Sequence, residues 1–176
     1  MSLLAPDRYL TDVHAIDLDD LRARGVEALL LDLDNTILPR DTNVVPADLA
    51  AWAQQLSALG FKVCLVSNNW HERVRIVAAE LDFALVAKAI KPLPFAFWRA
   101  TRKIGVRARR CAVVGDQLFT DVLGGKLIGA MTIMVLPLSS TDLPHTLLLR
   151  RLEARIMKNA KAGSSSRTTR GVDPTR

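Results

Sequence analysis

Five short apolar runs constrain the fold of this chain more than any other feature. They lie at residues 27–33, 61–66, 83–87, 110–114 and 131–136. Each run is almost continuously apolar, as strands buried on both faces of a sheet are. Helical patterns fill the intervals, at 46–60, 71–82, 92–105 and, with two internal glycines, 119–130. Strands that alternate with helices predict a parallel sheet covered on both faces.

The predicted fold is therefore α/β, with three layers in the order α/β/α. It is Rossmann-like, with a central parallel sheet of about five strands and no large cap domain. One further short helix is predicted at 14–24. The chain has 176 residues, of which 49% are hydrophobic, and this is enough for one domain with its own core. We assign that domain to residues 1–142.

The C-terminal part differs from the domain in charge. Residues 150–176 contain eight basic and two acidic residues, so they carry the whole net charge of +6 and leave the rest of the chain neutral. Residues 143–161 predict a basic amphipathic helix, with Leu148, Leu149, Leu152 and Ile156 on one face and arginines on the other. Residues 162–176 have the composition of a disordered tail.

Composition excludes several classes of protein. No apolar run approaches the roughly 18–20 residues that span a bilayer, and the first residues lack the basic start of a signal peptide. Cytoplasmic location is the expectation, with peripheral contact at the inner face of an anionic membrane through the basic segment as a further possibility.

Cys64 and Cys111 lie in apolar runs and are predicted to be small buried residues. The basic cluster at 99–110 has no interleaved aromatic residues, so no nucleic-acid partner is predicted.

Polar residues follow four of the predicted strands directly. The first strand ends in Asp32 and Asp34, and the second in Ser67 and Asn68. Lys91 follows the third, and Asp116 with Asp121 follows the fourth. The carboxyl ends of parallel strands share one edge of a sheet, so these side chains are expected to meet there. Clustered carboxylates raise one another's pKa, and a cation that binds oxygen ligands, Mg²⁺, is expected among them.

Such a set suits phosphoryl transfer. An ionised carboxylate beside Mg²⁺ can attack phosphorus and form an aspartyl-phosphate. A second carboxylate two residues later can protonate the leaving oxygen and then activate water. Ser67 and backbone N–H groups can hold the phosphoryl oxygens, while Lys91 and Mg²⁺ offset their charge.

Four strings carry a family resemblance. "DLDNT", "SNN", the lysine of "KP" and "GDQLFTD" occur in the order of the four motifs of the haloacid-dehalogenase (HAD) superfamily, subfamily IIIA. The resemblance covers about residues 27–136. With "GDQLFTDVLGG" and the later "LRRLE", the chain closely resembles the YqeG family, which includes phosphatidylglycerophosphate phosphatases. One departure is "GGKLIG", where an Asn-Arg pair would follow the glycines, and this affects only local substrate contacts.

The resemblance implies a role for each motif residue. Asp32 would be the nucleophile and Asp34 the general acid and base. Ser67, Asn68 and Lys91 would bind phosphate. Mg²⁺ would be held by Asp32, Asp116 and the backbone carbonyl of Asp34, and Asp121 would support that metal site.

Short spacings between the motifs predict an open site. Ten residues separate Thr36 from Ala47, and 21 separate Asn69 from Lys91. Neither interval has room for a cap domain, so the site is expected to accept a headgroup that protrudes from a membrane or a protein. Trp70 could line the crevice, His71 is expected to be exposed in a first helical turn, and Trp52 and Trp98 are expected to pack helices onto the sheet.

Three functions are consistent with the sequence. The first is an Mg²⁺-dependent phosphatase that converts phosphatidylglycerophosphate to phosphatidylglycerol. The second is a phosphatase of a soluble or macromolecular phosphomonoester. The third is a non-catalytic phosphate-binding module, against which the pair Asp32 and Asp34 argues, since a binding module needs no general acid. The oligomeric state stays open.

Overall fold

The computed structural model describes residues 3–139. The strands are β1 (Arg8–Leu10), β2 (Ala28–Leu31), β3 (Lys62–Val66), β4 (Ala84–Val86), β5 (Cys111–Gly115) and β6 (Met131–Val135). The helices are α1 (Leu18–Ala23), α2 (Ala47–Ala58), α3 (Glu72–Glu80), α4 (Pro94–Ile104) and α5 (Leu123–Leu127). The predicted helix at 143–161 and the tail at 162–176 lie outside the described residues.

The strands form one fully parallel sheet in the order β1-β6-β5-β2-β3-β4. The prediction of a parallel α/β/α sheet is confirmed, but the count of about five strands was one too low. The missed strand is β1, which pairs with β6 at the edge of the sheet. It is only three residues long and largely exposed, so it carries no apolar run that could reveal it.

The core divides into two layers because successive residues of a strand point to opposite faces of the sheet. On one face, Leu29 and Leu31 of β2 pack with the buried sides of α1, α2 and α3. On the other, Leu30 packs with Phe97 and Ala100 of α4. Cys64 and Cys111 are buried free thiols, as predicted.

The helix ends agree with local sequence signals. Helix α2 begins directly after Pro46. Helix α4 ends at Gly105, whose φ of 67° is left-handed, as is common for a glycine that terminates a helix. The helix predicted at 14–24 was wrong in extent. It is a 3₁₀ turn, Val13–Ala15, followed by the separate helix α1, and the side chains of Asp12 and Asp17 cap the two elements.

Two further predictions need correction. Trp52 is buried under α2, as expected, but Trp98 is exposed because it lies about 100° around the axis of α4 from the buried Phe97. The predicted helix at 119–130 is a π-helical turn, Leu118–Val122, that leads into the short helix α5.

The connections between motifs are short, as predicted. Residues 39–46, between β2 and α2, form neither helix nor strand, and the interval between Asn69 and Lys91 contains only α3 and β4. Residues 3–139 therefore contain no cap domain. Within the same residues, no helix combines the length and the apolar character needed to cross a bilayer.

Candidate active site

The site begins where β2 ends. The N–H of Asp32 donates to the carbonyl of Val114 on the neighbouring β5, so the backbone of Asp32 is still paired with the sheet. Asn35 then takes a left-handed φ of 65°, which asparagine tolerates better than most residues. Its N–H donates to the carbonyl of Leu38 at 2.8 Å. The motif "DLDNT" is therefore a strand end followed by a tight turn.

Three buried carboxylates form the centre of the site. Oxygen atoms of Asp32, Asp116 and Asp121 lie within 4.8 Å of one another. Asp32 and Asp116 follow the adjacent strands β2 and β5, and Asp121 lies on the π-helical turn after β5. Gly115 makes room for Asp121, because a Cβ at that position would lie only 2.2 Å from the carboxyl carbon of Asp121. The glycine in "GDQLFTD" thus has a steric cause.

Lys91 forms ion pairs with two of these carboxylates. Its Nζ lies 2.5 Å from Oδ1 of Asp32 and 2.7 Å from Oδ1 of Asp121, and the lysine side chain is almost fully buried. Its backbone N–H donates to Oδ1 of Asn68 at 2.7 Å, which ties the lysine segment to the loop after β3. The predicted phosphate-binding lysine therefore contacts carboxylates directly, and Asn68 contributes by positioning it.

The electrostatics of the cluster follow from burial. Desolvation raises the pKa of Asp32 to about 6, because burial together with the charges of Asp121 and Asp34 outweighs the opposing effect of Lys91. The pKa of Lys91 is also raised: burial opposes its charge, but the two carboxylates outweigh burial. Lys91 is thus held charged between two of the three buried carboxylates.

Asp34 lies beside this cluster, and its carboxylate pairs with Arg73. Nη1 of Arg73 donates to Asp34, while Nε and Nη2 donate to the carbonyls of Thr42 at 2.7 Å and Pro39 at 2.6 Å. Arg73 therefore joins α3, Asp34 and the segment after β2. Sequence reasoning missed it. The sequence feature that could have identified Arg73 is its place in the first turn of the helix after "SNN", which begins at the same edge of the sheet as Asp34.

Hydroxyl groups complete the site. Oγ1 of Thr36 donates to Oδ2 of Asp32 at 3.2 Å and lies 3.5 Å from Oδ1 of Asp116. Ser67 is buried at the end of β3, and its Oγ accepts a hydrogen bond from the N–H of Asn69. His71 is exposed directly before α3, as expected.

The donor set fits a divalent cation. Carboxylate oxygens are the ligands that such ions prefer, and the three carboxylates are buried close enough together to share one ion. Asp32, Lys91, Asp116 and Asp121 meet as the sequence predicted, and Ser67 follows the strand next to β2. The carboxylate of Asp34 is directed to Arg73, which leaves its backbone carbonyl for the metal contact that the family resemblance implies. An anionic group with oxygen atoms, such as a phosphoryl group, matches this combination of cation site, lysine and hydroxyls.

The fold and the site define a class of protein. A family model described as "Hydrolase: haloacid dehalogenase-like hydrolase" matches residues 8–129, and the chain therefore belongs to that family. It is 37% identical over 156 residues to the "Probable phosphatase YqeG" of Bacillus subtilis (strain 168), covering 89% of this chain and 91% of that protein. The predicted place in the YqeG family is confirmed, and the chain is a phosphatase of the haloacid dehalogenase class.

Two other relatives are more distant. The chain is 28% identical to "Phosphatidylglycerophosphate phosphatase 1, chloroplastic" of Chlamydomonas reinhardtii, over 86% of this chain and 60% of that protein. Among solved structures, the cobalt-bound deoxy-D-mannose-octulosonate 8-phosphate phosphatase of Haemophilus influenzae aligns with a TM-score of 0.52. That alignment covers 83% of this chain and 95% of the other, at 16% identity, and supports the fold alone.

Proposed function

We propose that the protein is an Mg²⁺-dependent phosphatase that converts phosphatidylglycerophosphate to phosphatidylglycerol. The observation that carries this proposal is the position of Asp32, a buried carboxylate that shares a cluster with Lys91 and has a second acid, Asp34, two residues away. A phosphate-binding module would need neither the nucleophile nor the acid.

The chain's own residues supply the chemical steps. A carboxylate oxygen of Asp32 attacks phosphorus, and the bond from phosphorus to the leaving alkoxide breaks. Asp34, protonated at the start of this step, gives its proton to that oxygen and becomes the carboxylate that pairs with Arg73. Asp34 then takes a proton from water, the water oxygen attacks phosphorus, and the bond to Asp32 breaks to release phosphate. Lys91 and Ser67 hold the phosphoryl oxygens. Mg²⁺ held by Asp32, Asp116 and the backbone carbonyl of Asp34 would offset the phosphoryl charge.

Two features support the lipid substrate. The catalytic edge has no cap in residues 3–139, so a headgroup that is attached to a large body could reach it. The Chlamydomonas relative carries the name of a phosphatidylglycerophosphate phosphatase. A soluble phosphomonoester is the competing substrate class, and it requires no membrane.

The test is phosphate release by the full-length protein from phosphatidylglycerophosphate in vesicles, compared with a panel of soluble phosphomonoesters. Release should require Mg²⁺ and stop in EDTA. Asp32→Asn keeps the shape of the side chain and should lose essentially all turnover, and Asp34→Asn should lose about 10²–10⁴-fold, the usual size of a proton-transfer contribution. Higher activity on a soluble compound would contradict the lipid assignment, and near-normal release by Asp32→Asn would contradict the nucleophile.

A further inference from the structure

Five large apolar side chains are exposed near the catalytic edge of the sheet. We call them the apolar rim: Trp70 (59% exposed), Ile90 (59%), Leu93 (45%), Phe95 (41%) and Trp98 (54%). Tryptophan and isoleucine are usually well buried. Single exposed apolar residues are normal, but several of them at one edge of a protein are typical of an interaction surface.

The apolar rim is attached directly to the catalytic residues. Trp70 lies three residues after Ser67, and Ile90 and Leu93 flank Lys91 in sequence. Hydrogen bonds join the two loops, since the N–H of Lys88 donates to the carbonyl of Asn69. Nζ of Lys88 also lies 5.5 Å from the ring centroid of Trp70, which places a cation beside that exposed ring.

The backbone holds Ile90 outward at a steric cost. Its φ is 57°, a left-handed conformation that a β-branched residue rarely adopts. Such strain persists where the surrounding structure enforces it, and it is concentrated at functional segments. Lys91, the next residue, is fixed by two carboxylates, so the same loop that delivers the buried lysine also presents an exposed isoleucine.

Helix α4 adds a gradient from apolar to basic. It starts just beyond the carboxyl end of β4, with Phe95 and Trp98 in its first turns. The exposed residues Arg99, Arg102 and Lys103 follow. At 1.5 Å per residue, Arg102 lies about 10 Å farther from the catalytic edge than Phe95. Apolar and tryptophan side chains at the tip with arginines behind them match the depth profile of a membrane interface, where acyl chains lie below charged headgroups.

We propose that the apolar rim seats the catalytic edge on a membrane, with Phe95, Trp98 and Trp70 at the level of the upper acyl chains. The basic residues of α4 would then contact lipid phosphates, and a phosphomonoester headgroup would be presented to Lys91 and Asp32. This inference rests on the proposed lipid substrate. It assigns membrane contact to the folded catalytic face, independently of the basic C-terminal segment.

Tryptophan fluorescence of the whole chain tests the contact between the apolar rim and the membrane, and it does not depend on catalysis. Vesicles of phosphatidylcholine and phosphatidylglycerol with brominated acyl chains should quench Trp70 and Trp98. They should leave the buried Trp52 unquenched. Trp70→Phe and Trp98→Phe keep the surface apolar and should each remove part of the quenching, and the double variant should remove nearly all of it. No quenching of the wild type would overturn the proposal.

Activity gives a second readout. Trp98→Ser with Phe95→Ser should lower kcat/KM on vesicle-borne phosphatidylglycerophosphate by about tenfold or more, because burial of one large apolar side chain is worth about a factor of ten in an equilibrium constant. Activity on a soluble phosphomonoester should not change. The matched control, Ile76→Ser with Leu127→Ser, removes equally exposed residues from the middle of α3 and the far end of α5 and should leave both activities unchanged. Equal vesicle activity of the rim and control variants would overturn the proposal.

The experiments give different results if protein, and not a membrane, covers the apolar rim. If the C-terminal segment of this chain or a second copy covers the apolar rim, iodide should fail to quench Trp70 and Trp98 in solution without vesicles, and this would overturn the membrane assignment. If vesicles quench both tryptophans but phosphatidylglycerophosphate is not hydrolysed, the rim assignment is supported and the proposed substrate is wrong. If the lipid is hydrolysed without quenching, only the rim assignment fails.

Discussion

The ammonium nitrogen of Lys91 lies 2.5 Å from Oδ1 of Asp32, in the interior of the protein. The same nitrogen lies 2.7 Å from Asp121, so one buried cation serves two buried acids. Charges removed from water are tolerated only when they are paired. Lys91 is therefore part of the structure of the site as well as a group that could bind phosphate.

Replacement of Lys91 by methionine should reduce stability and abolish turnover. Removal of one partner from a buried ion pair typically costs about 3–5 kcal/mol, because the remaining charges lose their compensation. Protonation of Asp32 would relieve part of this cost. Urea denaturation gives the free energy of unfolding, and the control is Lys62→Met, which removes an exposed ammonium that donates to the carbonyl of Ile104 and pairs with no carboxylate among the described residues. Equal stability of the two variants would show that the Lys91 pair contributes nothing.

Arg73→Ala should lower kcat strongly and change the free energy of unfolding only slightly. The guanidinium orients Asp34 and also fixes the carbonyls of Pro39 and Thr42, so its loss frees the proposed acid and the adjacent segment together. Misplacement of a reacting group by about 1 Å can cost roughly 10²-fold in rate. Arg75→Ala, an exposed arginine on the same helix, is the control and should behave as the wild type. If Arg73→Ala raised KM alone, Arg73 would bind substrate and would not position Asp34.

The positions of the central site residues could be predicted from the sequence because they depend on strand ends. A buried strand such as β2 needs a continuous apolar run, so the first acid after that run, Asp32, marks the edge of the sheet. Asp116 is located in the same way by β5. Parallel pairing then brings the two acids together without any knowledge of the loops.

The features that the sequence did not predict depend on single contacts. Strand β1 is defined by hydrogen bonds to β6 and has almost no burial pattern. The role of Arg73 depends on the path of residues 39–42, which have no regular structure. Trp98 was expected to be buried on the basis of its residue type, but the periodicity of α4 buries Phe97 instead. Residue type and pattern do not determine such contacts.

Gly115→Ala should impair the carboxylate cluster, whereas Gly124→Ala should impair packing alone. A Cβ at Gly115 would lie 2.2 Å from the carboxyl carbon of Asp121, and a Cβ at Gly124 would lie 2.2 Å from a ring carbon of Phe97. Overpacking typically costs about 1–3 kcal/mol, so both variants should have a lower free energy of unfolding. Only Gly115→Ala should also weaken Mg²⁺ binding, measured by calorimetry. Equal Mg²⁺ affinity in both variants would contradict the place of Asp121 at the metal site.

The basic residues at 150–176 predict binding to anionic vesicles that depends on salt. Each basic residue near such a surface contributes about 1 kcal/mol, and the attraction weakens as salt shortens the screening length below about 10 Å. Full-length protein should sediment with phosphatidylglycerol vesicles at low salt and less at high salt. Substitution of Arg150, Arg151 and Arg155 by glutamine should reduce the low-salt binding. Unchanged sedimentation of that variant would exclude these three arginines as the source of the attraction.

The stabilisation of the protein by Mg²⁺ should increase with pH. Burial raises the pKa of Asp32 from 3.8 to about 6 in the metal-free protein. Between these two values the folded state binds more protons than the unfolded state, so the contribution of Asp32 to stability falls as pH rises through this range. A cation binds the ionised carboxylate and must displace that proton at low pH.

The increase in Tm on addition of Mg²⁺ should therefore be small near pH 5 and larger near pH 7, because metal binding is coupled to the ionisation of Asp32. Thermal unfolding at several Mg²⁺ concentrations measures this directly, and calorimetry in buffers of different ionisation enthalpy should detect proton release at the lower pH. Asp116→Ala removes an expected ligand and should show little increase in Tm at either pH. An equal increase in Tm for the wild type at both pH values would mean that the cation does not bind at Asp32.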